Sequence, residues 1–213
     1  LPVASPAIAQ RLSPEVVACS NFGGDPDRAI AACTRVIDRR ITYNPDVAYS
    51  NRGLMHAYKD EYDLALSDFD ASIRLNSGNP FARLGRAMAL RNKGDYNRAL
   101  ADVEAVLRLP LNSDERLSAL LQKAQTLRDQ GAYDTARAQF EAVMAIYPTH
   151  AWAYAGRAST FRAQGATARA LADFDRALAL EKFPAAYVGR AGLHESLGNL
   201  EQAKADYAQA LAL

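Results

Sequence analysis

Three histidines, two cysteines and a recurrent pairing of arginine with aspartate are the residues whose types and spacing could do chemistry in this 213-residue chain. His56, His150 and His194 are scattered, and none lies three or four residues from another histidine or a cysteine, the spacing at which one helix face could hold a metal. No glycine loop suited to phosphate, no Gly-x-Ser-x-Gly elbow and no His-Glu-x-x-His segment occurs. The expectation is therefore no catalytic residue, no metal, no cofactor and no enzymatic activity. The arginine–aspartate pattern is sharper. Arg52 with Asp68, Arg86 with Asp102, Arg157 with Asp173 and Arg190 with Asp206 are each 16 residues apart (68 − 52, 102 − 86, 173 − 157, 206 − 190). Where the arginine becomes Lys123 the aspartate becomes Gln139, and where it becomes Val16 the partner is Ala32. Positions that change together are expected to touch, so these are read as structural ion pairs in which a guanidinium fork grips a carboxylate. Cys19 and Cys33 can face one another across a helical hairpin. A bridge closing that loop would contribute roughly 3 kcal/mol in the chain-entropy account and would fit an oxidising compartment. The other reading is two small buried hydrophobes in a reducing cytosol.

The elements that must carry these residues follow from a repeat. A turn residue with an alanine five places later recurs as Asp60/Ala65, Gly94/Ala99, Gly131/Ala136, Gly165/Ala170 and Gly198/Ala203. The steps are 34, 37, 34 and 33 residues (94 − 60, 131 − 94, 165 − 131, 198 − 165). A fixed period in the mid-thirties predicts stacked helix pairs, since one pair cannot bury its own apolar face and lends it to a neighbour. With the turn residue numbered 15 in each unit, position 20 is always alanine. Position 8 reads Gly53, Ala87, Ala124, Ala158 and Ala191, and position 24 reads Phe69, Val103, Phe140, Phe174 and Tyr207. Small residues at 8 and 20 let two antiparallel helices approach, and large ones at 24 fill the space around the crossing. The glycines at position 15 are expected to end each first helix in the left-handed conformation.

This pattern resembles the tetratricopeptide repeat, with Tyr62, Tyr96 and Tyr133 at position 17, Phe161 at 11 and Pro148 near a unit's end. Arg or Lys at position 7 and His56 and His194 at position 11 depart from the family pattern. The resemblance implies an all-α solenoid of about six antiparallel helix pairs winding as a right-handed superhelix. Residues 10–213 are expected to form a single domain with units at about 10–45, 46–79, 80–116, 117–150, 151–183 and 184–213. The first unit is degenerate, with Gly24, Ala29 and Cys33 at positions 15, 20 and 24.

Composition narrows the class further. A formal net charge of +1 with basic residues spread through every unit points away from nucleic acid, and charged residues interrupt every apolar run, so no membrane span is expected. Residues 1–9, Leu-Pro-Val-Ala-Ser-Pro-Ala-Ile-Ala, place Ala7 and Ala9 like the end of a secretion signal, or form a disordered amino terminus. The segment Ala31 to Ile37, Ala-Ala-Cys-Thr-Arg-Val-Ile, ahead of such repeats is similar to exported repeat proteins of Gram-negative bacteria. Export to a periplasm is the expectation, with a cytoplasmic protein as the alternative.

Function is then expected on the concave groove that the resemblance implies, lined by first-helix positions 2, 5, 9 and 12. Its candidate peptide-binding residues are Leu54, Phe81, Leu84, Met88, Arg91, Leu121, Gln125, Arg128, Trp152, Ser159 and Arg162. An apolar and aromatic floor suits an apolar peptide side chain, and arginines suit an acidic or carboxylate-bearing segment. The cations at position 12 also sit where a helix C-terminus favours them regardless of ligand. The leading expectation is a non-enzymatic scaffold holding an extended peptide or a partner helix. The alternative is an assembly factor or accessory subunit that homo-oligomerises through its last repeat, where Leu211 and Leu213 are expected to be partly exposed.

Overall fold

The computed structural model describes residues 13–20, 23–41 and 44–213. The expected signal remnant at 1–9, the first residues of the first unit and part of its connecting loop lie outside them. The described residues form helices and no strands: α1 (Pro14–Cys19), α2 (Pro26–Asp38), α3 (Pro45–Tyr58), α4 (Tyr62–Leu75), α5 (Pro80–Asn92), α6 (Tyr96–Leu107), α7 (Ser113–Asp129), α8 (Tyr133–Ile146), α9 (Ala151–Ala163), α10 (Thr167–Leu180), α11 (Pro184–Ser196) and α12 (Leu200–Leu211). They fall into two compact units, one through Asp102 and one from Val103 onward.

In the first unit α1 packs on α2, α2 on α3, α3 on α4 and α4 on α5, while first helices also meet, α1 with α3 and α3 with α5. In the second unit α7 through α12 repeat the scheme, with α7 against α9 and α9 against α11. Consecutive antiparallel pairs of this kind make an all-α solenoid arrangement within each unit.

Local sequence explains where the helices start and stop. Proline at the first helical turn, preceded by Ser13, Asp25, Asn44 or Asn79, opens α1, α2, α3 and α5, since proline lacks the N–H that would be orphaned there. Asn112 instead closes a capping box with Glu115, so α7 begins at Ser113, ahead of Leu117, and uses up the extra length of the 37-residue step. At the other end Gly94, Gly131, Gly165 and Gly198 have φ of 72° to 87°, and Asp60 takes the same role at 58°. The residue after each donates to the carbonyl at position 11, as Ala166 does to Phe161 at 2.9 Å, which satisfies a helix-end carbonyl. Gly24 departs from this expectation: it is not among the described residues with positive φ, because α1 stops already at Cys19 and leaves a longer connection through Gly23 and Gly24.

The crossings use the small residues. Ala65, Ala99, Ala136 and Ala170 are fully buried, as are Ala87, Ala124, Ala158 and Ala191. A second close approach lies between one pair and the next. A Cβ on Gly85 would stand 2.4 Å from Phe69 Cε1, one on Gly156 2.3 Å from Phe140 Cε1, and one on Gly189 2.4 Å from Phe174 Cζ. The position-24 ring of one hairpin is thus seated on a glycine at position 6 of the following first helix. Where position 24 is the smaller Cys33 or Val103, the matching residue is Asn51 or Gln122 instead of glycine.

The arginines at position 7 reach two partners each. Arg157 donates from Nε and Nη2 to Asp173 at 2.7 and 2.8 Å, and from Nη1 to Glu141 of the preceding hairpin at 3.4 Å. Arg86 grips Asp102 at 2.7 and 2.6 Å and Asp70 at 2.6 Å; Arg190 grips Asp206 at 2.8 and 2.6 Å and Asp175 at 2.6 Å. Arg52 holds Asp68 at 2.8 and 2.7 Å and donates to Thr34 at 3.0 Å. Lys123, whose in-hairpin counterpart is Gln139, still reaches Glu104 at 3.2 Å. The second acceptor is always position 25 of the hairpin before, so one side chain closes its own helix pair and ties it to its neighbour. Hydrogen bonds to Asp102 and Asp206 push the Arg86 and Arg190 pKa values above the ordinary guanidinium range, fixing the positive charge.

Cys19 on α1 and Cys33 on α2 are joined, with Cα atoms 4.6 Å apart, in a buried cluster with Ala32, Val36 and Ala48. α1 has only six residues, too few to hold itself by helix propensity. Reduction with alkylation of both thiols is expected to destabilise this hairpin by roughly 3 kcal/mol and to lower the first thermal transition. Unreduced protein that already alkylates twice under denaturing conditions would refute the bridge.

Candidate functional site

The first-helix stripe is the candidate working surface, and the histidines, expected to be packed rings, stand apart from it. His56 places Nδ1 2.6 Å from Glu61 Oε2, with Nε2 3.9 Å from Asp68, and so joins the network around Arg52. That contact, and then the hydrogen bond from Lys59, hold the Glu61 carboxyl below its usual range. His150 and His194 lie apart from it, and no cluster of metal-ligating side chains occurs among the described residues. His56 thus meets a carboxylate at its ring nitrogen, whereas the Nδ1 atoms of His150 and His194 are buried with no hydrogen-bond partner among the described residues.

The stripe behaves differently at its two ends. At position 2, in the first turn of the helix, Val47, Phe81 and Trp152 stand 44%, 45% and 43% exposed, a large apolar area for residues of this size. Trp152 stacks one face on the buried Phe183, ring centroids 4.2 Å apart at 17°, and turns the remainder outward. Leu54 and Met88 are half-buried against the Ala57, Ala65, Phe69 and Ala89 cluster, and Leu121 against Ala124, Phe140 and Val143. Leu84, Gln125 and Ser159 are half-buried as well. Thus the floor residues expected from sequence divide their surface between the core and solvent.

At position 12 the three arginines are not equivalent. Arg128 donates from Nε and Nη2 to Asp129 at 3.0 and 2.8 Å, so its charge is already partly answered. Arg91 is half-buried near the end of α5. Arg162 is exposed, with Nη1 3.4 Å from where a Cβ on Gly192 would lie. Next to it Tyr207 donates to Glu195 at 3.1 Å, which pushes the tyrosine pKa up. In the second unit the stripes of α9 and α11 therefore run from Trp152 and Val188, past Ala155, Ser159 and Gly192, to Arg162 and Glu195. Sequence reasoning missed Phe183 as the support of Trp152 and Asp129 as the partner of Arg128. An aromatic residue directly before Pro184 and an Arg-Asp dipeptide were the signals that could have found them.

This arrangement defines a class: an all-α repeat protein whose first helices present an open stripe. Residues 84–151 and 184–213 match family profiles described as tetratricopeptide repeat. These two stretches are tetratricopeptide repeats, and the helix pairs around them share the same all-α fold. No curated protein matches the chain. Among solved structures, it is similar to a tetratricopeptide repeat protein from Parabacteroides merdae, with 22% identity and a TM-score of 0.79 over 88% of this chain and 72% of that one. A thermophilic repeat protein from Thermus thermophilus shares 23% identity, TM-score 0.69, over 78% of this chain and 90% of that one. YrrB, described as a repeat protein with an unusual peptide-binding site, shares 22% identity, TM-score 0.53, over 73% of this chain and 78% of that one. The tetratricopeptide-repeat fold suggests a protein–protein interaction scaffold. None of the described helices is long and apolar enough to cross a membrane.

Proposed function

We propose that the chain is a non-enzymatic scaffold of an oxidising, extracytoplasmic compartment that holds an extended peptide along the first-helix stripe. The observation that carries this reading is the exposure of Val47, Phe81 and Trp152 at one repeat position, where burial of apolar area by a ligand would supply affinity that screened surface charges lack. The peptide-binding site described for YrrB supports a peptide as the ligand class here. In the first unit Leu54, Leu84 and Met88 lie on the stripe with Arg91, and in the second Leu121, Gln125 and Ser159 lie on it with Arg128 and Arg162; in each unit the arginines favour a carboxylate-bearing segment, with Arg162 exposed. The bridge between Cys19 and Cys33 supports the oxidising compartment.

The test is selection of random peptides on the immobilised protein. Trp152→Ala is expected to weaken the selected peptides by about tenfold to a hundredfold, the loss of one aromatic anchor, and Arg162→Glu to weaken the acidic ones among them. Arg162→Glu should keep the parent melting temperature within a few degrees, because exposed charges contribute little to folding, whereas Trp152→Ala also gives up the stack on Phe183 and should lower it, so its binding is compared at a temperature where both variants are folded. Peptides that bind both variants as well as the parent would move the working surface elsewhere.

A further inference from the structure

Among the described residues, helical glycines serve the core with one exception. A Cβ on Gly85, Gly156 or Gly189 would strike a buried phenyl ring, and one on Gly53 would crowd Phe69, Ala65 and Asp68. A Cβ on Gly192, in α11, would meet only Nη1 of Arg162 on α9, at 3.4 Å. That is ordinary contact with the end of a flexible side chain, so no core packing calls for glycine there. Its bare backbone instead forms a shelf for the Arg162 guanidinium, within the stripe of the second unit.

The guanidinium on this shelf is unanswered. Among the described residues Arg162 has no hydrogen-bond or ion-pair partner, in contrast to Arg128 with Asp129. Glu195, three residues beyond Gly192, is engaged by the Tyr207 hydroxyl at 3.1 Å instead. A planar fork with open donors matches a carboxylate, which it can hold by two parallel hydrogen bonds. Along α9, Arg162 stands ten residues from the half-exposed Trp152 (162 − 152), with the small Ala155 and Ser159 between them on the stripe. At ~1.5 Å per helical residue the separation is about 15 Å along the axis. An extended chain covers that length in about four to five residues.

We propose, on the peptide-holding reading given above, that Arg162 laid across Gly192 seats a ligand carboxylate, with an apolar side chain of the same ligand on Trp152 about four to five residues away. Gly192 is then a positioning residue, which holds the fork flat on the stripe and keeps the approach to it clear. The carboxylate belongs to the ligand's terminus or to an acidic side chain, two sources with one chemistry.

Trp152 is the chain's single tryptophan, so its emission reports occupancy directly. Three acetylated probes are titrated at constant ionic strength: the pentapeptide Leu-Ser-Ala-Ser-Ala as free acid, the same peptide as amide, and the amide with glutamate in the last place. At least one acidic probe should bind about tenfold tighter than the neutral amide, the gain of a charge-assisted pair. Preference for the free acid alone assigns the seat to a terminus, and preference for the glutamate amide alone assigns it to a side chain. Gly192→Leu and, separately, Arg162→Gln should each bring the preference down to about one. Gly192→Ala should retain it and raise the melting temperature, because alanine favours the helix and its methyl fits beneath the guanidinium. Circular dichroism should be unchanged in all three variants. Acidic probes that bind no better than the amide, or that do not bind, overturn the carboxylate seat; random peptides that still depend on Trp152 would leave the scaffold reading standing. A preference that survives Gly192→Leu, or a lower melting temperature for Gly192→Ala, overturns the role of the glycine.

Discussion

Gly156→Ala is expected to destabilise the protein by about 1–2 kcal/mol, against the usual benefit of replacing a helical glycine. An alanine in a helix interior gains about 1 kcal/mol over glycine. Here the new Cβ would lie 2.3, 2.5 and 3.0 Å from Phe140 Cε1, Cζ and Cδ1, well inside contact distance. Phe140 cannot swing away cheaply: its ring is fully buried among Ala124, Val143, Met144 and Ala153. Overpacking of this kind costs typically 1–3 kcal/mol and occasionally more, so it outweighs the propensity gain. Urea unfolding of the variant gives the sign directly. Phe140→Val should rescue part of the loss, because the chain itself combines a smaller residue at position 24 with a side chain at position 6 in Val103 with Gln122 and Cys33 with Asn51. The double variant should therefore be more stable than the two single costs predict, by 0.5 kcal/mol or more. A neutral or stabilising Gly156→Ala would mean that the ring has room to move.

Asp173→Ala and Arg157→Ala are each expected to cost about 2 kcal/mol, with a coupling of about 0.5–3 kcal/mol in the double variant. The carboxylate is nearly buried, its side chain 10% exposed, and receives two short hydrogen bonds from a guanidinium that is 22% exposed. Removing the arginine leaves an unanswered charge in a dry site. Removing the aspartate leaves a cation that keeps only the longer bond to Glu141 and can lean toward water, which holds the cost below that of a fully buried pair. Glu141→Ala should cost much less, since Glu141 is exposed and its bond is 3.4 Å long. Strict additivity of Arg157→Ala and Asp173→Ala would show that the two side chains do not act together.

Much of the architecture was legible in the residues because it is set by local and periodic terms. Proline or a capping asparagine starts several of the first helices, glycine with positive φ or Asp60 ends them, and small residues at 8 and 20 allow a close crossing inside the hairpins. None of these needs knowledge of what lies in the next hairpin. The coincident change of Arg and Asp to Lys123 and Gln139 made the in-hairpin pairing visible as well, since both partners fall within one repeat.

The relations between hairpins were not legible, for a physical reason. A side chain with several rotatable bonds can reach more than one neighbour, and which one it meets depends on the register between helices far apart in sequence. Arg157 reaching back to Glu141, the Phe140 ring seated on Gly156 and Trp152 stacked on Phe183 are all of this kind. The same holds for the candidate site: residue type alone put Arg91, Arg128 and Arg162 on an equal footing, and only folded neighbours distinguish Arg128, held by Asp129, from Arg162, exposed beside Gly192. Helix identity and pairing thus follow from the sequence by itself, because backbone capping and small-residue contacts act over one repeat. The division of each apolar or charged side chain between core and open surface was decided by tertiary packing, because burial is a property of the neighbours that surround a residue and not of the residue alone.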